Sequence, residues 1–530
     1  MELHREEILQ LLGLLTALGA LVFLAPIARV PYPILMVLGG LALSFMPGLP
    51  DFELPPDVIL VAFLPPLLYS AAFFTSLRDL RANVRPIGLL SIGLVGATTV
   101  VVAVVAHSVI EGLPWASAFV LGAVVSPTDP VAATAIARRL GVPRRTVTIV
   151  EGESLVNDAT ALVLYRAAVV AAVTGAFSVW ESGARLVVDA VAGIAIGLAV
   201  GYVVRAVRRR MSDSPSEITI GFLTGYLAYL PADALGVSAV LAAVTVGIYM
   251  GWFTPELTDA ETRIQGLAFW TILVFILNAA LFTLVGLQLP QVLDGLDAWS
   301  TGELVGAAAA VCAAVVLVRI AWVYLFSSIP RPLGGFRKGD RPPWERLAIV
   351  SWAGMRGAVS LAAALAIPLE TDVGLPFPGR ELIIFLAFCV ILATLVIQGL
   401  TLPLLIRKLG VEDDDLEARE EDKARKRAAQ AALARLEELA VEDWVLEDTA
   451  ERLRGVYGFR VRRFSERFDS EADGSNEARS LSYQRLRREL LAAERDAVIG
   501  LRRSQVISDD VMNRVLRDIA LEDVRLDFER

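Results

Sequence analysis

Residues 126–158 read SPTDPVAATAIARRLGVPRRTVTIVEGESLVND, with apolar sequence of membrane length on both sides. Asp129 stands inside one apolar segment, and Glu151, Glu153 and Asp158 stand inside the next. A charge at bilayer depth costs about 2.5–3.5 kcal/mol on insertion scales, so such groups must pair, face water or bind something. Pro127 and Pro130 flank Thr128 and Asp129 within what should be a spanning helix. Each proline removes a backbone donor and disfavours helix at the residue before it. Unwound backbone at membrane depth survives only where it lines a cavity or is buried in protein. A broken helix carrying an Asp, beside a helix carrying Asn157 and Asp158, is the pattern of a cation site at the midplane.

The second helix adds geometry. Glu153, Ser154, Asn157 and Asp158 follow an i, i+1, i+4, i+5 pattern. At about 100° per residue they share one face, within an arc of roughly 140°. All the donor atoms on this face suited to a metal are oxygens, which fit a hard cation such as sodium.

The remainder of the chain sets the frame. Its 530 residues are 55% hydrophobic with a mean hydropathy of +0.59, far too apolar for a soluble globular protein of this length. A net charge of −9 gives no support for nucleic-acid binding. Cys312 and Cys389 lie in apolar runs and suggest no disulfide framework, and His4 and His107 are too far apart in sequence to suggest a metal site. The opening MELHREEILQ carries glutamates where a signal peptide would be basic, so the first apolar run reads as a retained helix.

A requirement of roughly 20 apolar residues per span gives about thirteen candidate helices. They lie near 7–29, 31–47, 57–75, 84–109, 114–138, 147–174, 183–207, 217–231, 235–252, 264–289, 301–328, 346–369 and 380–408. The eighth and ninth are short, with a boundary near Pro231. Basic residues concentrate in alternate loops: Arg29; Arg78, Arg81 and Arg85; Arg138, Arg139, Arg144 and Arg145; Arg205, Arg208, Arg209 and Arg210; Arg331, Arg337, Lys338, Arg341 and Arg346; and Arg407 and Lys408. Basic loops face the cytoplasm, which predicts an outside N-terminus and a cytoplasmic C-terminal tail. Thirteen spans divide as six, one and six, so the two sixes run in opposite directions, as inverted repeats do. The division pairs the helix broken at Ser126–Pro130 with the span holding Gly354, Arg356 and Gly357, where glycine permits a second break. Asp129 and Arg356 are the side chains placed to offset the partial charges of the half-helix ends. The fold class expected is an all-α polytopic membrane protein of two inverted six-helix repeats with two broken helices, over residues 1–409, followed by a cytosolic helical domain over 410–530.

Ser-Pro-Thr-Asp-Pro at 126–130, Glu-Ser-Leu-Val-Asn-Asp at 153–158 and Gly-Met-Arg-Gly-Ala-Val-Ser at 354–360 together resemble the sodium/proton exchangers of the monovalent cation–proton antiporter superfamily. The resemblance covers about residues 7–409, with the motifs in the family's order. It implies that the two broken helices cross beside the ion site, and that the protein is a plasma-membrane homodimer exchanging a monovalent cation for a proton. Sodium is the first choice of cargo and potassium the alternative. Asp158 is then the carboxylate that takes either proton or cation, with Asn157, Ser154, Thr128 and Asp129 beside it. Asparagine at 157 resembles the electroneutral branch. The position of Arg319 relative to the Gly-Met-Arg-Gly motif matches the family's buried arginine, and Glu153 is its expected partner. One departure is Ser70, which stands where the family often has an acid. The Pro65–Pro66 pair before it reads as a kink.

From about residue 410 the composition turns charged. LEAREEDKARKRAAQAALARLEELA reads as a soluble helix rich in i, i+4 pairs, SEADGSN at 470–476 as a loop, and the stretch after it as an amphipathic helix. Ser508-Asp509-Asp510 reads as the cap of a last short helix. This tail is expected to be regulatory. No Ser–His pairing or His-rich motif points to an enzyme, and the reading calls for no cofactor beyond the transported Na+ or K+ and H+. A cation channel could use the same oxygens, and would differ by carrying current.

Overall fold

The computed structural model describes residues 13, 16, 19–24, 31–45, 56–175, 179–288, 293, 296, 299–328, 342–372, 374–411, 416–466 and 475–528. Every regular element among them is helical, and the chain divides into two compact units, Met1–Asp413 and Asp414–Arg530. The first candidate span, 7–29, lies largely outside the described residues.

In the first unit, α1 is Tyr32–Ser44, α2 Pro56–Phe73, α3 Leu77–Ala82 and α4 Val84–Val109. Then come α5 (Trp115–Val125), α6 (Pro130–Arg139), α7 (Arg144–Thr174) and α8 (Val179–Arg208). The second half holds α9 (Ser214–Ala234), α10 (Ala239–Leu257), α11 (Ala260–Leu287) and α12 (Thr301–Ser328). It closes with α13 (Trp344–Trp352), α14 (Ala358–Leu365) and α15 (Arg380–Leu409). Among the described residues eight helices, counting α5 and α6 as one interrupted span, are long and apolar enough to cross a membrane. The chain is therefore a multi-pass membrane protein.

Helix boundaries differ from the sequence reading where proline was taken as a stop. The eighth span runs through Pro231 to Ala234. A proline in the final turn forfeits little, because the helix is about to end. Pro65 and Pro66 sit inside α2, within the single span expected there. Pro66 has no N–H to give the carbonyl of Ala62 one turn earlier, and the Tyr226 hydroxyl of α9 donates to that carbonyl at 2.9 Å. The proline pair is thus paid for by a neighbouring helix, as backbone at membrane depth requires.

Helix is interrupted at residues 126–129, between α5 and α6, and at residues 353–357, between α13 and α14. Three apolar clusters pack around these interruptions. One joins α4, α5, α12 and α15; a second joins α1, α6, α11 and α13; a third joins α2, α9 and α10. The interrupted segments therefore have packed protein around them, save where they border a cavity.

The second unit is four helices: α16 (Leu416–Leu439), α17 (Glu447–Glu466), α18 (Ser475–Arg503) and α19 (Asp509–Phe528). The sequence reading assigned no element to α17. It also expected a short final helix, whereas α19 has 20 residues. Arg454 of α17 bonds Glu437 of α16 at 2.7 and 2.9 Å, and that hydrogen bonding holds the Glu437 carboxyl below its ordinary range. Arg487 of α18 reaches Glu522 of α19 at 2.5 Å. The expected loop at 470–476 lies mostly outside the described residues.

Candidate functional site

The two interruptions touch. The amide of Asp129 donates to the carbonyl of Met355 at 2.8 Å. Arg356 spans the contact from the other side: its Nε donates to the Val125 carbonyl at 3.0 Å, its Nη1 to the carbonyl of Gly354, and its amide to Thr394 Oγ1 at 3.1 Å. Val125 ends α5 and Gly354 follows the end of α13, so one guanidinium serves orphan carbonyls from two helix C-termini. Asp129 does the converse. Its Oδ1 accepts from the amide of Val131 at 2.8 Å, capping α6, and its carboxylate lies against Gly357, the residue before α14.

Two glycines are needed here because side chains approach the backbone too closely for a Cβ. A methyl at Gly357 would meet the Asp129 carboxylate, and one at Gly354 would meet the side chain of Arg319.

Arg319 and Glu153 are brought together in the core. Nη1 and Nη2 of Arg319 donate to Oε1 and Oε2 of Glu153 at 2.5 and 2.9 Å, with the two side chains 0% and 1% exposed. Nε and Nη2 also donate to the carbonyl of Val350, in the last turns of α13, at 3.2 and 3.0 Å. The pair ties α7, α12 and the first half of a broken helix into one body.

Thr128 links this pair to the face carrying Asp158. Its hydroxyl donates to Glu153 Oε1 at 3.1 Å and accepts from Asn157 Nδ2 at 2.9 Å. Its carbonyl accepts from Ser154 Oγ at 2.8 Å. A chain of hydrogen bonds therefore runs Arg319, Glu153, Thr128, Asn157. Asn157 Oδ1 is buried without a hydrogen-bond partner among the described residues. This linkage is beyond sequence reasoning, because it depends on how far α7 approaches residues 126–129.

Asp158 is buried, and its carboxylate forms no hydrogen bond or ion pair among the described residues. It lines a cavity of about 830 Å³ together with Thr128, Asp129, Ser154 and Ser70. The cavity extends to Arg138 and Glu151, which pair at 2.6 Å with Arg138 67% exposed, so it communicates with the protein surface on the side of the loop after α6. Tyr32, Trp270, Asn278 and Ser360 also line it, and the sequence reading assigned none of them. A signal existed for two: Asn278 is a lone amide in an apolar run, and Ser360 ends the Gly354–Ser360 motif. Arg166 of α7 reaches Asp233 of α9 at 3.4 Å.

A helical membrane protein with two interrupted helices in contact, charges placed at their ends and a buried carboxylate in a cavity beside them has the build of a secondary transporter. Residues 13–408 match the family described as "Sodium/hydrogen exchanger, transmembrane", and the chain belongs to that family. It is 38% identical to an uncharacterized Na(+)/H(+) exchanger of Mycobacterium tuberculosis, over 94% of this chain and 92% of that protein. It is 36% identical to the sodium, potassium, lithium and rubidium/H(+) antiporter of Bacillus subtilis, over 71% of this chain and 58% of that one. Its fold is like that of the sodium proton antiporter MjNhaP1 from Methanocaldococcus jannaschii, with a TM-score of 0.59 and 20% identity over 77% of this chain and 98% of that chain. The family is one of transporters and not of enzymes.

Proposed function

We propose that the chain is a cation/proton antiporter in which Asp158 alternately carries a proton or a monovalent cation. Membership of the exchanger family supports antiport itself. The observation that carries the role of Asp158 is a carboxylate buried at a cavity, beside touching helix breaks, with no partner for its charge among the described residues. The other acids nearby are engaged: Glu153 with Arg319, Glu151 with Arg138, and Asp129 with the start of α6.

The mechanism follows from the cost of a bare charge in low dielectric. Proton and cation compete for the same oxygens, those of Asp158 with Ser154 and the residues of the break beside them. An empty carboxylate is expensive to carry through the protein interior, so only a loaded, neutralised site crosses easily between inward- and outward-facing states. Coupled exchange results without a separate gate. One exchanged charge per proton makes the cycle electroneutral. Asn157, held by Thr128, orients this face, and the Glu153–Arg319 pair holds its register.

Thirteen spans in two inverted six-helix repeats fit the position of the two breaks, one in each half of the chain. The basic loops support a plasma-membrane protein with its N-terminus outside and the tail unit in the cytoplasm, so the cavity beside Arg138 and Glu151 is an inward-open state. A homodimer and a regulatory tail complete the reading. Sodium is the proposed cargo. The breadth of cations named for the Bacillus subtilis relative favours potassium as a second one. The deciding experiment is sodium-driven proton movement in sealed liposomes. Asp158→Asn should abolish it while leaving a folded protein, and normal exchange in that variant would remove Asp158 from its role.

A further inference from the structure

The cavity at Asp158 has walls of different character. One is the break and its neighbour α7, which bring Thr128, Asp129, Ser154 and Asp158 to the lining. Another comes from α2, the turn after it and α11, and no described residue that it contributes is charged. Four neutral side chains on that wall carry an oxygen: Ser70, Thr75, Thr271 and Asn278. The three hydroxyls donate to carbonyls of their own segment, Ser70 to Leu67 at 3.0 Å, Thr75 to Ala71 at 2.6 Å and Thr271 to Leu267 at 2.8 Å. The indole of Trp270, on the same wall, has a donor and no acceptor.

Asn278 is arranged differently. Its Nδ2 donates to the Val274 carbonyl one turn back at 2.9 Å, which fixes the end of the amide that faces the helix. Oδ1 is left without a partner among the described residues, although the residue is only 5% exposed. A buried carbonyl oxygen without a donor is costly to keep, so a polar cargo in the cavity is its natural partner. Asn278 and Asp158 both lie more than two turns from either end of their helices, and Asp158 is two turns beyond Glu151 at the cavity mouth.

We infer that Asn278 is a further binding residue for the exchanged ion, with Oδ1 accepting from the α11 wall whatever Asp158 carries. A cation on the carboxylate gains a hard neutral oxygen ligand, and a proton on it gains a hydrogen-bond acceptor. The inference rests on the role of Asp158 proposed above. The sign of the electrostatics carries it. An acceptor oxygen is drawn to a carboxylate that holds a proton or a cation, and is repelled by the bare carboxylate. One residue therefore favours both loaded forms and disfavours the empty one, which is the discrimination that coupled exchange needs. A lysine or arginine on this wall would do the reverse and favour the empty site. Asp158 and Asn278 do not bond each other here, so the contact forms as the cavity narrows around its cargo.

The test uses the purified full chain. Exchange is measured in proteoliposomes, and in detergent the rise in Tm given by sodium chloride over choline chloride reports sodium binding. Asn278→Leu keeps the bulk and removes the oxygen. It should lower kcat/KM for sodium about tenfold, the worth of one hydrogen bond or ligand to a charged group, and shrink the sodium-dependent rise in Tm. Asn278→Asp should act with the opposite sign on binding. At alkaline pH it should lower KM for sodium below that of the unaltered protein while slowing turnover, because one cation no longer neutralises two carboxylates. A side chain that only supported the helix would not move KM in opposite directions. Asn278→Leu with unaltered kcat/KM and an unaltered sodium increment overturns the inference. If that variant does not fold, a KM for Asn278→Asp at or above that of the unaltered protein overturns it. Asp158→Asn is run in parallel: exchange that persists there defeats the reading of Asp158 and this inference with it. Loss in Asp158→Asn with normal values in Asn278→Leu defeats the role of Asn278 alone.

Discussion

Removing one member of the Glu153–Arg319 pair should cost more than removing both. The two side chains are 0% and 1% exposed and meet through two hydrogen bonds of 2.5 and 2.9 Å. Arg319→Leu leaves Glu153 buried with the Thr128 hydroxyl as its one remaining side-chain hydrogen bond among the described residues, and a buried charge that loses its ion-pair partner costs about 3–5 kcal/mol. It also strips the Val350 carbonyl of two donors, a further ~1–3 kcal/mol if that carbonyl stays dry. Glu153→Leu strands the guanidinium at a comparable ~3–5 kcal/mol and leaves the Thr128 hydroxyl proton without its acceptor, a further ~1–3 kcal/mol, while Val350 keeps its donors. In the double leucine variant both charges are gone. What remains unsatisfied is the Val350 carbonyl and the Thr128 hydroxyl proton, at about 1–3 kcal/mol for each group left without a partner. The double variant should therefore unfold at a higher temperature than Arg319→Leu, and the two single losses should exceed the double loss by at least ~2 kcal/mol in a double-mutant cycle. Thermal melts of purified protein, with the yield of monodisperse material as a second measure, give the ordering. A double variant no more stable than either single variant would refute the argument, since the cost would then lie in lost packing and not in the stranded charge.

The cycle is predicted to be electroneutral, so a steady current or voltage build-up in proteoliposomes during sodium-driven proton flux contradicts it. Exchange should follow a bell-shaped pH dependence at fixed cation, because at low pH protons displace the ion and at high pH none is available to return. Raising sodium should move the acidic limb to lower pH, and a limb indifferent to sodium would argue against competition for one carboxylate. Thr128→Val keeps the shape of the side chain but severs the link between Asn157 and Glu153, and should cost about 1–3 kcal/mol of stability together with a loss of exchange rate, whereas unchanged transport would show the link to be dispensable. Gly357→Ala places a methyl against the Asp129 carboxylate, which is tied to Val131, and should destabilise by about 1–3 kcal/mol, seen as a lower Tm than for Ala substituted at the uncrowded Gly96.

Much of this protein is written in its sequence because a membrane leaves few options. Apolar length sets the spans, and prolines beside Asp129 and glycines beside Arg356 mark where helix cannot continue. Charges in apolar runs, among them Glu153, Asp158 and Arg319, stand out because each needs a reason to be there. Local chemistry of this kind is legible one residue at a time. The sequence reading went astray at Pro231, where the helix runs on through its last turn; and it had no means of showing that Tyr226 satisfies the carbonyl that Pro66 leaves bare. Tertiary structure alone decided how the oxygens are distributed. Thr128 is committed on both its hydroxyl and its carbonyl, Asn157 keeps one buried oxygen without a partner among the described residues, and Asp158 is left for the cavity. No periodicity encodes that division, because it depends on which atoms come within 3 Å or so of one another when separate helices pack. The same holds for the lining of the cavity by Tyr32, Trp270 and Asn278, residues distant in sequence that meet because the helices carrying them surround one break in the chain.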